Sequence, residues 1–447
     1  MSTPKHLVED LGTRPIGRLL WWTCSQTTLS VGVYGVYALT NAWFVAQGVG
    51  ETALAAVNLV APLLLLLGAV STTVGAGGAS LVSRSLGAGR PEYAARAAGT
   101  SFIVFWTAAV LVTASGLLLL EPLLRLVGAT EDTLPYARPY AAVIFAGAIL
   151  STGFSSLVRA EGRLFFSTLL WVVPVLVQIT LDPLLIFVFD MGVTGAALGT
   201  VGGQAVSAFM AVWFFFIRRR RPYRIGWAEL RPRGEVVRRV LAIGAPSFLA
   251  GFGATLLAVV INAGLAASGA LVLAAYAVCA RVQTFVAMPQ TGIAQGLQPI
   301  VGYNAGRGLD ERVRRALVLS IRASLIYGAG AAAVVAAAAP AIASAFLSDP
   351  QAQDAAADAL RIIAAGFAFA GIAHIVSAYF QTLGAPTASY LISIGTLVGI
   401  RLPLVLALGA AGPLGIWIAL PLGEALSALG AALMLRQFAP RVRSGAR

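Results

Sequence analysis

One stretch of this chain occurs twice. Leu54–Ser101 lies without a gap on Leu273–Ser320, with about 13 of about 48 positions identical, including the Gly87/Gly306 and Gly89/Gly308 pairs. A second pairing, shifted by one residue, sets Pro183, Gly192, Gly195, Gly203 and Ser207 on Pro403, Gly412, Gly415, Gly423 and Ser427. Of the 447 residues, 58% are hydrophobic and only 11% charged, more apolar surface than a water-soluble fold of this size can hide. A long repeat in such a chain predicts two similar helical bundles in a bilayer, with a site formed where repeats meet.

A spanning helix needs about 20 apolar residues. Twelve segments qualify, near 17–46, 52–82, 97–120, 136–158, 164–188, 193–217, 240–267, 271–303, 317–347, 358–383, 387–409 and 412–437. The expected fold class is all-α: a polytopic membrane protein of twelve transmembrane helices in two six-helix lobes related by the repeat. The expected divisions are an N-terminal lobe at 1–217, a cytoplasmic Arg-rich linker at 218–239 and a C-terminal lobe at 240–447. Trp227, on a short surface helix of that linker, is expected at the lipid headgroups.

Net charge is +13. With the N-terminus inside, about 26 of the 31 basic residues fall in cytoplasmic segments, whereas outer loops keep only Arg125, Arg138 and Arg361. The basic charge therefore reports topology, with both termini cytoplasmic in the plasma membrane, and argues against nucleic-acid binding. With only His6 and His374, and no metal or acid-pair motif, the chain also gives an enzyme little to work with. No cofactor is expected beyond a coupling ion.

A charge inside a span is expensive and marks a candidate functional position. Asp182 stands out, in Gln178–Pro183 (QITLDP), because Pro183 has no N–H and should kink the helix, leaving the Ile179 carbonyl unpaired. A carboxyl beside a freed carbonyl is a candidate seat for a proton or small cation, or else a protonated Asp bonded to a neighbouring helix. In the second half, Arg401 and Glu424 fall on adjacent helices and are expected to pair. Arg281 could bond helix-end carbonyls or Glu424, and Glu161 could bond Arg159 or Arg163 at an inner gate. Tyr37, Gln26, Asn58, Asn262, Gln283 and Gln295 add polar groups for a substrate cleft.

Several of these segments resemble a known family. Gln295–Gly306 (QGLQPIVGYNAG), with Ala274–Tyr276, Arg281 and Met288-Pro289 before it and Arg312 after it, is similar to the eighth span of multidrug and toxic compound extrusion (MATE) transporters. Tyr37–Val45, Leu54–Ala56, Arg159–Gly162, Leu181–Pro183, Gly195–Gln204, Tyr379–Gly384 and Gly415–Pro421 fall where that family carries its other signatures. The resemblance implies two six-helix lobes, a central cleft, and export coupled to proton or sodium entry. It also implies partners for Asp182: Asn41 on the first span, Gln178 one turn earlier, and Thr200 on the sixth.

Two of these positions depart from the family pattern, which has a carboxylate where Asn41 stands and an Asn where Gln178 stands. Losing one acid disfavours sodium and fits a proton on Asp182 better. The function expected is a proton-driven antiporter, a monomer in membrane lipid, exporting small amphiphilic or cationic drugs and metabolites by alternating access. The alternatives are a flippase for lipid-linked glycan precursors and an uncoupled or exchange transporter on the same fold.

Overall fold

The computed structural model describes residues 4–150, 154–218 and 221–445. Arg219 and Arg220 of the linker thus lie outside the described residues. The described chain is built of helices. In the first half these are α1 (Pro4–Thr13), α2 (Ile16–Gly48), α3 (Glu51–Gly87), α4 (Pro91–Leu118), α5 (Leu120–Leu126), α6 (Leu134–Ala146), α7 (Ser155–Ala160), α8 (Leu164–Pro183) and α9 (Gly192–Val212). The second half adds α10 (Gly234–Ala266), α11 (Ala270–Gly306), α12 (Asp310–Phe346), α13 (Pro350–Ala364), α14 (Phe367–Thr382), α15 (Pro386–Thr396), α16 (Leu402–Gly409) and α17 (Pro413–Gly445).

Ten helical stretches among the described residues are long and apolar enough to span a bilayer, and α13 with α14, bent by 49°, makes an eleventh. The remaining predicted span coincides with α3, a helix of 37 residues. Large apolar side chains such as Ile326 (75% exposed) and Val334 (66%) stand on the outside of these helices, where lipid replaces water.

The sequence repeat has a backbone counterpart. After α3, Gly89 turns left-handed (φ 69°), and the Arg90 N–H reaches the Ser85 carbonyl at 2.9 Å. After α11, Gly308 does the same (φ 74°), with the Leu309 N–H on Asn304 at 2.9 Å. Both are helix ends closed by a glycine without Cβ strain. The turns at Gly162 and Gly384 form a second matched pair, each at φ 74°.

Contacts divide the chain into two compact units: Met1–Asp10 with Leu29–Gly244, and Leu11–Thr28 with Ala245–Arg447. The first unit contains an aromatic cluster of Phe102, Phe105, Phe154, Phe214 and Phe215, and a second core around Tyr140, Phe145 and Ile186. The other unit is built around Leu360 and Ile363, with Tyr276 stacked on Trp417 at 6.1 Å.

Each unit takes in part of a helix whose remainder belongs to the other, and glycines explain how. In the first unit a Cβ on Gly77 would strike the Val240 backbone, and one on Gly244 would strike the Thr73 carbonyl. In the second, Gly292 and Gly296 receive Thr28 and Cys24 in the same way, and Thr27 Oγ1 donates to the Gly292 carbonyl at 2.5 Å. Backbones can approach this closely only where side chains are absent.

The linker differs from expectation at Trp227. Residues 227–230 form a turn rather than a surface helix, and Trp227 is 87% exposed. Its neighbours Arg221 and Tyr223 are instead buried within the first unit.

Gly77→Ala should lower stability by about 1–3 kcal/mol, because the added methyl meets backbone that cannot move aside. Gly330→Ala, where open space surrounds the position, should be neutral or slightly stabilising. Thermal unfolding of the two purified variants measures the difference.

Candidate functional site

Asp182 lies on α8, wholly buried, in the helix turn just before Pro183. The ring of Pro183 removes one backbone donor, and the chain continues as a single wide turn over Leu184–Val188, whose end bonds Phe189 N–H to the Leu184 carbonyl at 3.0 Å. Across from it, α9 presents Gly199. Any larger residue there would collide with Asp182 Oδ1.

Two amides fix the carboxyl. Asn41 Nδ2 on α2 donates to Oδ2 at 3.3 Å, and Gln178 Nε2, one turn back on α8, donates to the same oxygen at 3.1 Å. Gln178 Nε2 also approaches Thr200 Oγ1 at 3.4 Å, and the Tyr37 hydroxyl reaches that oxygen at 3.5 Å. Asn41, Gln178 and Thr200 are themselves buried. Asp182 Oδ1, in contrast, is buried with no hydrogen-bond partner among the described residues. One oxygen of the carboxyl is thus doubly bonded, and the other, seated against Gly199, keeps a lone pair that a proton can take.

The structure therefore brings Asp182, Asn41, Gln178, Thr200 and Tyr37 into one cluster inside the first unit. Gly199 was not singled out from sequence. Its signal was the run of small residues in Gly195–Gly203, which allows α9 to lie tight against α8.

Other candidates are placed differently. Glu161 is bonded neither by Arg159 nor by Arg163, but by Arg221 of the linker, in a pair with both side chains fully buried. Arg221 also donates to the Phe215 carbonyl at 2.7 Å and lies over the rings of Phe214, Phe215 and Tyr223. Burial alone would lower the Arg221 pKa, but Glu161 and Tyr223 reverse that and hold it above its usual value. Burial beside Glu161 also pushes the Tyr223 hydroxyl upward. Arg159 turns instead to Ser156 and Ser167, at 3.0 and 3.4 Å. Sixty residues of sequence separate Glu161 from its partner, so no local pattern announced the pair.

In the second unit Arg401 and Glu424 do pair, with Nη2 to Oε2 at 2.6 Å, and Arg401 Nε meets Ser427 Oγ at 3.2 Å. Arg281 does not reach Glu424, which is taken by Arg401. It is exposed and lies 5.9 Å from the centre of the Phe346 ring. Asn262 is exposed and donates to Ala258 on its own helix, while Gln26, Gln283 and Gln295 are half-buried. Asn58, in the first unit, is exposed.

The YNAG end of α11 has a role that its sequence did not reveal. Asn304 Nδ2 donates to the Leu11 carbonyl at 2.9 Å, and Arg312 Nη2 reaches the carbonyls of Leu11 and Arg14 at 3.2 and 2.7 Å. Asn304 Oδ1 accepts from Arg312 Nε at 2.8 Å, so the two act as one clamp on the end of α1. A cation there also complements the negative end of a helix.

Comparison with known proteins agrees with this architecture. The MatE family model matches residues 28–184 and 246–406, most of the chain. The chain is 25% identical over 446 residues to a FAD transporter of Shewanella oneidensis, covering 98% of both proteins. It is 26% identical over 419 residues to the multidrug export protein MepA of Staphylococcus aureus, covering 92% of this chain and 90% of that one. Among solved structures, a MATE protein in its straight conformation matches with a TM-score of 0.92 at 23% identity, over 98% of this chain and 99% of that one. A MOP superfamily transporter from Pyrococcus furiosus matches at 0.91, also at 23% identity and over 98% of each chain.

Arg221→Ala should cost about 3–5 kcal/mol, since it strands the Glu161 carboxylate in a buried site. Arg314→Ala, which removes only an exposed pair with Glu311, should leave the unfolding midpoint where it is. Thermal unfolding of both variants tests the contrast.

Proposed function

We propose, for a chain that belongs to the MATE family of multi-pass membrane transporters, that it is a proton-driven antiporter exporting small amphiphilic or cationic molecules. The reading places it in the plasma membrane with both termini cytoplasmic, working as a monomer by alternating access of its two halves. The observation that carries the proposal is the Asp182 carboxyl: buried, with Oδ2 held by two amides and Oδ1 unpaired.

Asn41 and Gln178 turn N–H groups toward the carboxyl, so they offer donors rather than the oxygen ligands that sodium requires. A proton needs only the free lone pair on Oδ1. When Asp182 is ionised, the two amide donors stabilise its charge. When it is protonated, those charge-assisted bonds weaken, and the hold of α8 on Asn41 of α2 weakens with them. Protonation thereby changes how firmly α2 is tied to α8, and this is the step we assign to coupling. Tyr37, one turn before Asn41 and in contact with Thr200, carries the same change along α2.

The multidrug export relative favours drugs and similar amphiphiles as substrates. The relative named as a FAD transporter favours a second reading, export of a flavin nucleotide, on the same coupling site.

Purified protein in liposomes with separately imposed proton and sodium gradients distinguishes these. Ethidium export should follow the proton gradient alone, and Asp182→Asn should abolish it while the protein remains folded. Asn41→Asp, which restores a second carboxylate, should introduce sodium dependence. Undiminished ethidium gradient formation by Asp182→Asn would sink the coupling role.

A further inference from the structure

The charges of the second unit are arranged unlike those of the first. Glu424 lies about 16 Å from the outer start of its span, and Arg401 about 12 Å from the nearest end of its own, both deep in a hydrocarbon core about 30 Å thick. The Arg401 and Glu424 side chains nevertheless remain 20% and 24% exposed, respectively. Lipid cannot solvate such groups, so the exposed side of the pair must face water.

The pair is also incompletely bonded. Arg401 gives Nη2 to Glu424 and Nε to Ser427, but Nη1 bonds to no described residue. Glu424 uses Oε2, while Oε1 accepts from none. Neither atom is among the buried unsatisfied groups, so both are accessible. A donor bearing positive charge and an acceptor bearing negative charge therefore stand side by side on one wet face.

Local structure keeps them there. The chain takes a wide turn over Leu397–Arg401, an irregularity that often accompanies functional positions in helices. The Arg401 stem lies along α17 beside Gly423, where a Cβ would meet it in ordinary contact at 3.5 Å. His374, exposed on α14, is near enough to Arg401 to feel its charge.

We propose that Arg401 and Glu424 form a substrate subsite for zwitterionic amphiphiles, with the ligand's anionic group on Arg401 Nη1 and its cationic group on Glu424 Oε1. This inference rests on the transporter reading but not on proton coupling. The chemistry follows from charge balance. A net-charged ligand would leave excess charge deep in the membrane, whereas a zwitterion laid antiparallel on the ion pair keeps the site neutral and satisfies both open atoms.

The test uses a rhodamine dye with a free carboxylate, which is zwitterionic, and the methyl ester of the same dye, which is a cation. Binding to the purified full chain is read by fluorescence anisotropy. The double variant Arg401→Gln/Glu424→Gln leaves no orphaned charge and retains a side-chain hydrogen bond, so it should fold. It should weaken the carboxylate dye by about tenfold or more and leave the ester within about twofold. Equal weakening of both dyes would make the pair merely structural and overturn the proposal. So would unchanged binding of the carboxylate dye, or its failure to bind the native chain. Transport of the ester dye by native protein in liposomes reports separately on the transporter reading.

Discussion

Every feature of this protein follows from removing polar groups from water, in a medium that offers them no partner. The hydrocarbon cannot satisfy a carboxylate, a guanidinium or a backbone amide, so each must be matched within the chain or turned toward a wet surface. Three solutions coexist here. Glu161 and Arg221 match charge with charge in full burial. Asp182 is matched with neutral donors on only one of its oxygens. Arg401 and Glu424 match each other but keep one exposed atom apiece. The first is closed and suits a structural role, while the other two keep the open valence that chemistry or binding needs.

The duplicated scaffold sets those solutions in place. Matching glycine turns end the matching helices at Gly89 and Gly308, and again at Gly162 and Gly384. Equivalent close crossings occur at Gly77 in one unit and Gly296 in the other. The charges inside the spans are not duplicated: Asp182 falls on Leu402, Arg401 on Leu181 and Glu424 on Gln204. Wide helical turns occur after Asp182 in the first copy and just up to Arg401 in the second, each beside a proline that removes a backbone donor. The turns fall on opposite sides of the matched prolines Pro183 and Pro403, so each half bends at its own place and carries a different group beside it.

Much of the Asp182 site was legible because it is local. The Asp-Pro step, the helical spacing to Gln178, and the resemblance that brought in Asn41 and Thr200 all lie on the surface of the sequence. The tight seat of Oδ1 on Gly199 was not, because a run of small residues says only that something packs closely. The partner of Glu161 was missed for a plainer reason. Arg159 and Arg163 are its neighbours in sequence, but Arg159 is bonded to Ser156 and Ser167, and the linker covers the buried carboxylate with Arg221.

By itself the sequence determined the solvent, the number and order of the spans, the two-fold repetition and the one acid that burial makes conspicuous. These depend on composition and on short-range pattern, which survive without knowledge of contacts. Only the tertiary structure decided which amides meet which oxygen, which arginine neutralises Glu161, and that Arg281 stands over Phe346 while Arg401 takes Glu424. It also decided that the first parts of α2 and α10 pack with the unit other than the one holding the rest of each helix. The reason is geometric: those outcomes depend on distances between helices, set by glycines and side-chain volumes far apart in the chain.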